Sequence, residues 1–374
     1  MKILYIAPMN SIHSRRWIKY FVDQGNDVHA VNVGLADRSE LEKVTVHFEQ
    51  LDHTEYMVLI DFFVRFIRFF IKLKKLVSEL KPDIIHVHGV SIYAYIAVKC
   101  SESKIPVIAT AWGSDILLYP YQSYKRKIIA KLTLKAVDFN LCDEKHIKNE
   151  MIKLGADEKK IGIVYFGTDL NEYNSDNKDL NVISELGFKS NTKLIISLRQ
   201  LKPIYDIETL IKAIPLVIEK NSKVGFIIVG EGSEKQNLEE LSKELGIDHK
   251  VRFTGFLSYS DLKRYTASAD IYVSTSTSDA GLASSTAEAM ASEVPVIITD
   301  FGNNSDWVED KVSGLLFPMR DYKVLSDKII YILEHPDESI LMANKGMQII
   351  KERNNWLVEM EKVNQIYIEI IKCK

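Results

Sequence analysis

The feature that most constrains this chain is the form of its apolar runs. "KILYIA" (2–7), "DVHAVNV" (27–33), "DIIHVH" (83–88), "PVIAT" (106–110), "DFNLC" (138–142) and "IGIVYF" (161–166) are short, and most are separated by segments of helix length and period. A strand with one wet face alternates polar and apolar residues. A largely continuous apolar run marks a strand covered on both faces, as in a parallel sheet. Residues 171–181, "NEYNSDNKDLN", are polar and turn-rich, and the pattern then restarts. The second set is "KLIISL" (193–198), "VGFIIVG" (224–230), "VRFTG" (251–255), "DIYVST" (270–275), "VPVIIT" (294–299) and "SGLLF" (313–317). Strand followed by helix, repeated in each half, predicts two doubly wound, Rossmann-like α/β domains over residues 1–172 and 182–345. Residues 346–374 read as a helical segment able to pack on either domain, including back on the first.

Size and charge agree. A chain of 374 residues exceeds one hydrophobic core. A net charge of −3 argues against a nucleic-acid binder with a global basic field. Cys100, Cys142 and Cys373 are odd in number and far apart, which predicts reduced thiols and a cytoplasmic setting. "MKILYIAPM" lacks the long apolar core of a signal peptide, and no apolar run reaches the roughly 18 residues a membrane span requires.

In such sheets ligands bind at the carboxyl ends of strands, so a cleft between two domains is the natural site. Four strand ends of the second domain carry suitable residues. Gly230 and Gly232 permit close approach of backbone to a ligand, or mark a plain tight turn. Arg199 and Lys202 suit a diphosphate, or form a solvated surface pair. "TSTSDAGLASSTAEAM" (275–290) is stripped to small side chains ahead of a helix at Glu288. The amides around Gly281, Leu282, Ser284 and Ser285 then form an anion site, unless the small residues serve only helix–sheet packing. Gly302 and Asn303 follow the next strand in another turn. Glu288 suits a ribose, accepting from its 2′ and 3′ hydroxyls, or caps the first turn of its helix.

"EAMASEVPVIITDFGNN", "VGEGSEKQNLEEL" and "VRFTGF…YTASADIYVSTS" resemble the carboxyl-terminal half of the family-4 retaining glycosyltransferases of GT-B fold. "ILYIAPMNSIHSRRWIKYFVDQGNDVHAV", "PDIIHVHG" and "PVIATAWGSDIL" resemble the amino-terminal half, so the likeness covers nearly the whole chain. The resemblance implies a nucleotide-sugar donor, UDP- or GDP-linked, in the second domain and an acceptor in the first. It also implies retention at the anomeric carbon and no cofactor or required metal. By resemblance Glu288 is the second carboxylate of a two-glutamate motif and binds the ribose, and Arg199 clamps phosphate. Three positions depart from the pattern. The first glutamate falls at Ala280 beside Asp279, the lysine falls near Tyr205 with Lys202 the nearest cation, and a histidine is replaced by Trp112. These departures fit a divergent subgroup.

Glycosyl transfer builds charge on the leaving diphosphate, so stabilising it and holding the acceptor hydroxyl are the protein's tasks. Arg199 and Lys202 suit the first task. Asp279 either binds a donor-sugar hydroxyl in place of the glutamate absent at Ala280 or is a turn residue. In "NSIHSRRW", Asn10, His13 and Arg16 are candidates for the acceptor, and His13 also for the reacting sugars. Trp112 and Asp115 of "AWGSDIL" join them. A capping or packing role for His13 is as good a reading. His86 and His88 are expected on opposite sides of their strand, and without a third ligand no metal site is expected. "FFVRFIRFFIKLKKLV" (62–77) places Arg65, Arg68, Lys72 and Lys75 on one side and Phe62, Phe66, Phe69, Phe70 and Leu73 on another. This is a sheet-packing helix with a cationic outer face, or an element docking peripherally on the cytoplasmic face of the membrane, as for enzymes with lipid-linked acceptors. Two further functions share the features. One is a non-hydrolysing nucleotide-sugar epimerase, which needs acid–base groups that are few at these strand ends. The other is a catalytically silent nucleotide-sugar-binding subunit, which Ala280 supports.

Overall fold

The structure is a computed structural model, described for residues 1–34, 43–49, 59–277 and 282–374, with only the backbone described at 48–49 and 59–64. The chain divides into two compact units. The first comprises Met1–Phe166 and Leu357–Lys374, and the second comprises Gly167–Trp356. The first crossing therefore lies upstream of the polar stretch 171–181.

The first unit contains β1 (Lys2–Ala7), α1 (Ile12–Asp23), β2 (Asp27–Asn32), β3 (Thr45–Glu49), α2 (Leu59–Leu80), β4 (Ile84–His88) and α3 (Ile92–Ser101). It continues with β5 (Val107–Thr110), α4 (Ser114–Leu117), α5 (Tyr119–Gln122), α6 (Tyr124–Ala136), β6 (Phe139–Cys142), α7 (Lys145–Lys153) and β7 (Ile161–Ile163). Its seven strands are parallel in the order β3-β2-β1-β4-β5-β6-β7. The strands are buried without alternation because helices cover both faces. Leu4, Ile6, Ile85 and Val87 pack with Phe69 and Leu73 of α2 and with α3 and α6. On the other face Tyr5 and His86 meet Trp17 and Phe21 of α1 and Tyr367. Tyr367 belongs to α15 (Trp356–Lys372), whose residues from Leu357 onward lie in this unit.

The second unit contains α8 (Asn181–Glu185), β8 (Lys193–Leu198), α9 (Ile207–Lys220), β9 (Val224–Val229), α10 (Lys235–Glu244), β10 (Val251–Gly255) and α11 (Tyr259–Ser268). It continues with β11 (Ile271–Ser274), α12 (Ser284–Ala291), β12 (Val296–Thr299), β13 (Leu315–Phe317), α13 (Tyr322–Glu334) and α14 (Pro336–Arg353). Its parallel order is β10-β9-β8-β11-β12-β13. In both sheets the strand order reverses beside the first strand, at β1/β4 and β8/β11. Loops on either side of such a reversal diverge and leave a crevice at the carboxyl ends. Two groups of site residues therefore have a common topological origin.

Candidate active site

In the second unit, Arg199 follows β8 directly. Its guanidinium carbon lies 4.5 Å from the centre of the Tyr205 ring, which shelves it. The loop carrying both is tied to the segment after β11. Thr275 donates its hydroxyl to the Tyr205 carbonyl (2.8 Å), and the Thr277 amide donates to the Ile204 carbonyl (2.9 Å). Thr299, at the end of β12, donates to the Ser276 carbonyl (2.6 Å). The two loops flanking the reversal and the neighbouring strand end are thus one hydrogen-bonded assembly.

The glycines after β9 are explained by backbone contact. A Cβ on Gly230 would fall 2.3 Å from the Arg199 carbonyl oxygen, and one on Gly232 would fall 2.1 Å from that of Leu201. Leu201 and Glu231 pair there through a 3.0 Å backbone bond. Only a residue without a side chain lets these strand ends approach so closely. Lys202 is exposed and lines a cavity of about 450 Å³ with Glu208, Lys212, Glu234 and Arg320. Asp206 completes a lining with as many acids as cations, so this cavity is not a net anion sink.

Helix α12 begins at Ser284, and among the described residues no side chain caps its start at Ala283. Its first amides therefore project with the positive end of the helix dipole behind them. Ser284 is exposed, Leu282 is half-buried, and the Ser285 hydroxyl lies 2.8 Å from that of Tyr272. Glu288 is half-buried and stands in the second turn, not the first. The first-turn capping reading fails because Ser284-Ser285-Thr286-Ala287 already form the opening turn. Gly302 adopts φ +60° in the turn after β12, followed by half-buried Asn303, while Asn304 turns inward to donate to the Thr299 carbonyl (2.9 Å). Asp279, Ala280 and Gly281 lie outside the described residues.

In the first unit, His13 sits in the opening turn of α1, whose N-cap is Ser11. Its ring lies 4.5 Å from Phe166 and is stacked 5.9 Å from Trp112; Trp112 and Phe166 stack at 5.4 Å with planes 10° apart. Burial of the ring, and then the Arg16 charge, lower its pKa, so His13 is neutral at pH 7. Exposed Asn10 lies in the same loop.

His88 lies between Trp17 and Trp112 and bonds the Ser14 hydroxyl through Nδ1 (2.9 Å). Burial, reinforced by His13, pulls its pKa down to about 3. His86 bonds Tyr367 through Nδ1 and Thr110 through Nε2 (2.6 Å). The His86 and His88 rings are 4.8 Å apart, so they share one side of β4. The expectation of opposite sides is wrong because strand side chains repeat every two residues.

Asp115 is spent on the backbone, accepting from Val90 N (2.7 Å) and Trp112 N (3.0 Å), so it braces the loops after β4 and β5. Sequence reasoning missed Asp143, directly after β6. Its Oδ1 is buried without a hydrogen-bond partner among the described residues, as are Trp17 Nε1, His88 Nε2 and Trp112 Nε1. Burial, with a smaller push from Asp115, raises the Asp143 pKa to about 7. The available signal was an acid immediately following the strand "FNLC". Buried polar groups are ordinarily paired. Asp143, His88 and Trp112 each follow or end a strand of the first sheet at its carboxyl side. Among the described residues no group of three or more His, Cys, Asp or Glu is arranged to hold a metal.

Two Rossmann-like units, each with its candidate residues at the carboxyl ends of a parallel sheet, define the GT-B class of protein. Comparison with known proteins agrees. Residues 2–143 match the family model described as glycosyl transferase 4-like, and residues 180–349 match glycosyl transferases group 1. An uncharacterized glycosyltransferase of Methanocaldococcus jannaschii is 25% identical over 361 residues, 92% of this chain and 90% of the relative. An Escherichia coli UDP-Gal:alpha-D-GlcNAc-diphosphoundecaprenol alpha-1,3-galactosyltransferase is 23% identical over 318 residues, 81% of this chain and 80% of the relative. The crystal structure of Anabaena HepE in complex with UDP superposes with a TM-score of 0.80 at 19% identity, covering 99% of this chain and 100% of that one. The chain belongs to the family-4-like glycosyltransferases of GT-B fold.

Proposed function

We propose that the protein transfers a sugar from a nucleoside diphosphate donor, UDP- or GDP-linked, to a glycan or lipid-linked acceptor of the cell envelope. The proposed transfer retains the anomeric configuration and requires no metal or cofactor. The observation that carries this reading is the convergence at the β8/β11 reversal of shelved Arg199, the uncapped start of α12, and Glu288 one turn farther on. Arg199 takes charge developing on the leaving diphosphate, with Lys202 adding to the field. The first amides of α12 and the turn at Gly302–Asn303 meet phosphate oxygens. Glu288 accepts from the ribose hydroxyls. We assign Asp279 to the donor-sugar hydroxyl that the glutamate absent at Ala280 would hold. The acceptor lies against His13, Trp112 and Phe166, where flat rings suit the apolar face of a sugar and neutral His13 serves as a hydroxyl partner. In a retaining transfer without a protein nucleophile, the departing phosphate itself receives the acceptor's proton. The names of the relatives support a nucleotide sugar and a lipid diphosphate-linked acceptor.

No helix of the described residues is long and apolar enough to cross a membrane. The reading places the protein in the cytoplasm, at the membrane surface when its acceptor is lipid-linked, with α2 as one contact. The test is nucleotide release from a panel of UDP- and GDP-sugars, with and without acceptor and EDTA, followed by proton NMR of the anomeric centre. Acceptor-stimulated release with retained configuration is expected. Interconversion of free nucleotide sugars would point to an epimerase instead, and binding without release to a silent subunit.

A further inference from the structure

Two segments of the first unit differ sharply in charge from the rest. Residues 62–77 and 116–137 hold ten of the 48 Lys and Arg and none of the 51 Asp and Glu. The first lies in α2, and the second runs from within α4 through α6. Helix α3 packs between α2 and α6 over the same sheet face, so the outward sides of the three belong to one surface.

The two ends of that surface are unequal. Helix α2 gives Phe69 and Leu73 to the core, and its Lys74 and Lys75 face Glu102 and Glu79. Helix α6 buries only Ala130, Thr133 and Leu134. Its larger side chains point outward instead: Tyr124 is 80% exposed, Ile128 39% and Leu132 47%, one stripe at i, i+4 and i+8. Tyr119 and Tyr121 are exposed just before them, with Arg126 and Lys127 over their rings at 5.8 and 5.3 Å. Lys125, Lys131 and Lys135 flank the stripe and form no ion pair among the described residues.

Soluble proteins seldom leave a contiguous apolar stripe in water. A polyanion such as nucleic acid would use the cations but gain nothing from outward Ile128 and Leu132. An anionic bilayer uses both: phosphates meet lysines, tyrosines settle at headgroup depth, and aliphatic side chains enter the acyl boundary. We infer that the outer face of α5 and α6 docks the first unit on an anionic lipid surface, with Tyr124, Ile128 and Leu132 entering the boundary and Lys125, Lys131 and Lys135 on the phosphates. Helix α4 follows Trp112 and Gly113 directly, so docking brings that loop to the height at which a lipid-linked acceptor presents its sugar. That last consequence rests on the transferase reading; the docking itself does not.

The experiment uses the full chain without donor or acceptor, so its failure is separate from failure of the transferase reading. Cosedimentation is measured with phosphatidylcholine vesicles and with vesicles containing about one-third phosphatidylglycerol. Partition at least about tenfold greater on the anionic vesicles is expected, falling with salt. Joint Lys125→Gln, Lys131→Gln and Lys135→Gln should weaken partition by about 10²-fold, since each basic residue contributes roughly fivefold. Joint Ile128→Ser and Leu132→Ser should weaken vesicle binding while leaving retention on heparin unchanged. All five side chains are exposed, and circular dichroism checks that the variants fold. Tyr124→Trp provides an independent signal, a blue shift of the added emission on anionic vesicles. Equal partition on both vesicle types, heparin retention without vesicle binding, or unshifted emission at Trp-substituted position 124 would each overturn the docking assignment.

Discussion

Arg199 rests on Tyr205, its guanidinium carbon 4.5 Å from the ring centre. The tyrosine stands near where the family pattern has a lysine, and it acts on the arginine instead of adding charge. A ring beneath a guanidinium restricts its rotamers and keeps the outer edge directed at a ligand. Arg199→Ala should lower kcat by about 10²-fold, whereas Lys202→Ala should cost less than about tenfold. Tyr205→Leu should fall between them while leaving the melting temperature within a few degrees. Steady-state kinetics with the best donor check this, and equal mild effects of both cation removals would refute the clamp.

Glu288→Ala should weaken binding of the free nucleoside diphosphate about tenfold, the loss of one or two charge-assisted hydrogen bonds. Because Glu288 is half-buried in an eight-residue helix, the fold should persist. Titration calorimetry and a thermal melt on one preparation separate the two effects.

Neighbouring serines of α12 should behave oppositely. Ser284 is exposed, so Ser284→Leu should reduce nucleotide affinity with little change in melting. Ser285 is held 2.8 Å from the hydroxyl of buried Tyr272. Ser285→Leu should therefore lower the melting temperature by several degrees, the result of about 1–3 kcal/mol of overpacking. Matching effects at both positions would refute a ligand-facing start of the helix.

Asp143 sets a pH dependence. Its carboxyl has an ordinary pKa of 3.8 and is raised to about 7 in the fold, chiefly by burial. Between these values the folded chain binds more protons than the unfolded chain. The contribution of this group is thus most favourable near pH 4 and worsens as pH rises through 7. Asp143→Asn should be nearly neutral at pH 4 and stabilising by about 4 kcal/mol at pH 8. Denaturant melts at the two pH values check the sign. His88, lowered to about 3 by burial, acts in the opposite direction: stability is lost as pH falls below about 6.5.

Much of the fold was readable because burial on both faces leaves a direct imprint on a strand. β8 and β9 are buried nearly end to end, and the apolar runs locate both. β3 escaped notice because "TVHFE" alternates and forms the sheet edge, where Val46 is exposed. Arg199 and Glu288 were visible as charges beside strand ends. The shelf under Arg199 was not, since Tyr205 reaches it through a turn that no periodicity reports. Asp143 was equally silent: an acid after a strand looks solvated until surrounding loops remove the water. Likewise Asp115 looked like a ligand-binding acid, but two backbone amides already occupy it.

The discontinuous first unit has a consequence for biosynthesis. Inside its core Tyr5 and His86 share the hydroxyl of Tyr367, which lies 281 residues downstream of His86. A nascent chain that has emerged through β7 owns every strand of the first sheet yet lacks the helix that satisfies those buried polar groups. The second unit is uninterrupted in sequence and can close while the first still waits. The order of completion thus runs against the order of synthesis, and an amino-terminal fragment ending near Phe166 would carry an open polar seam where α15 belongs.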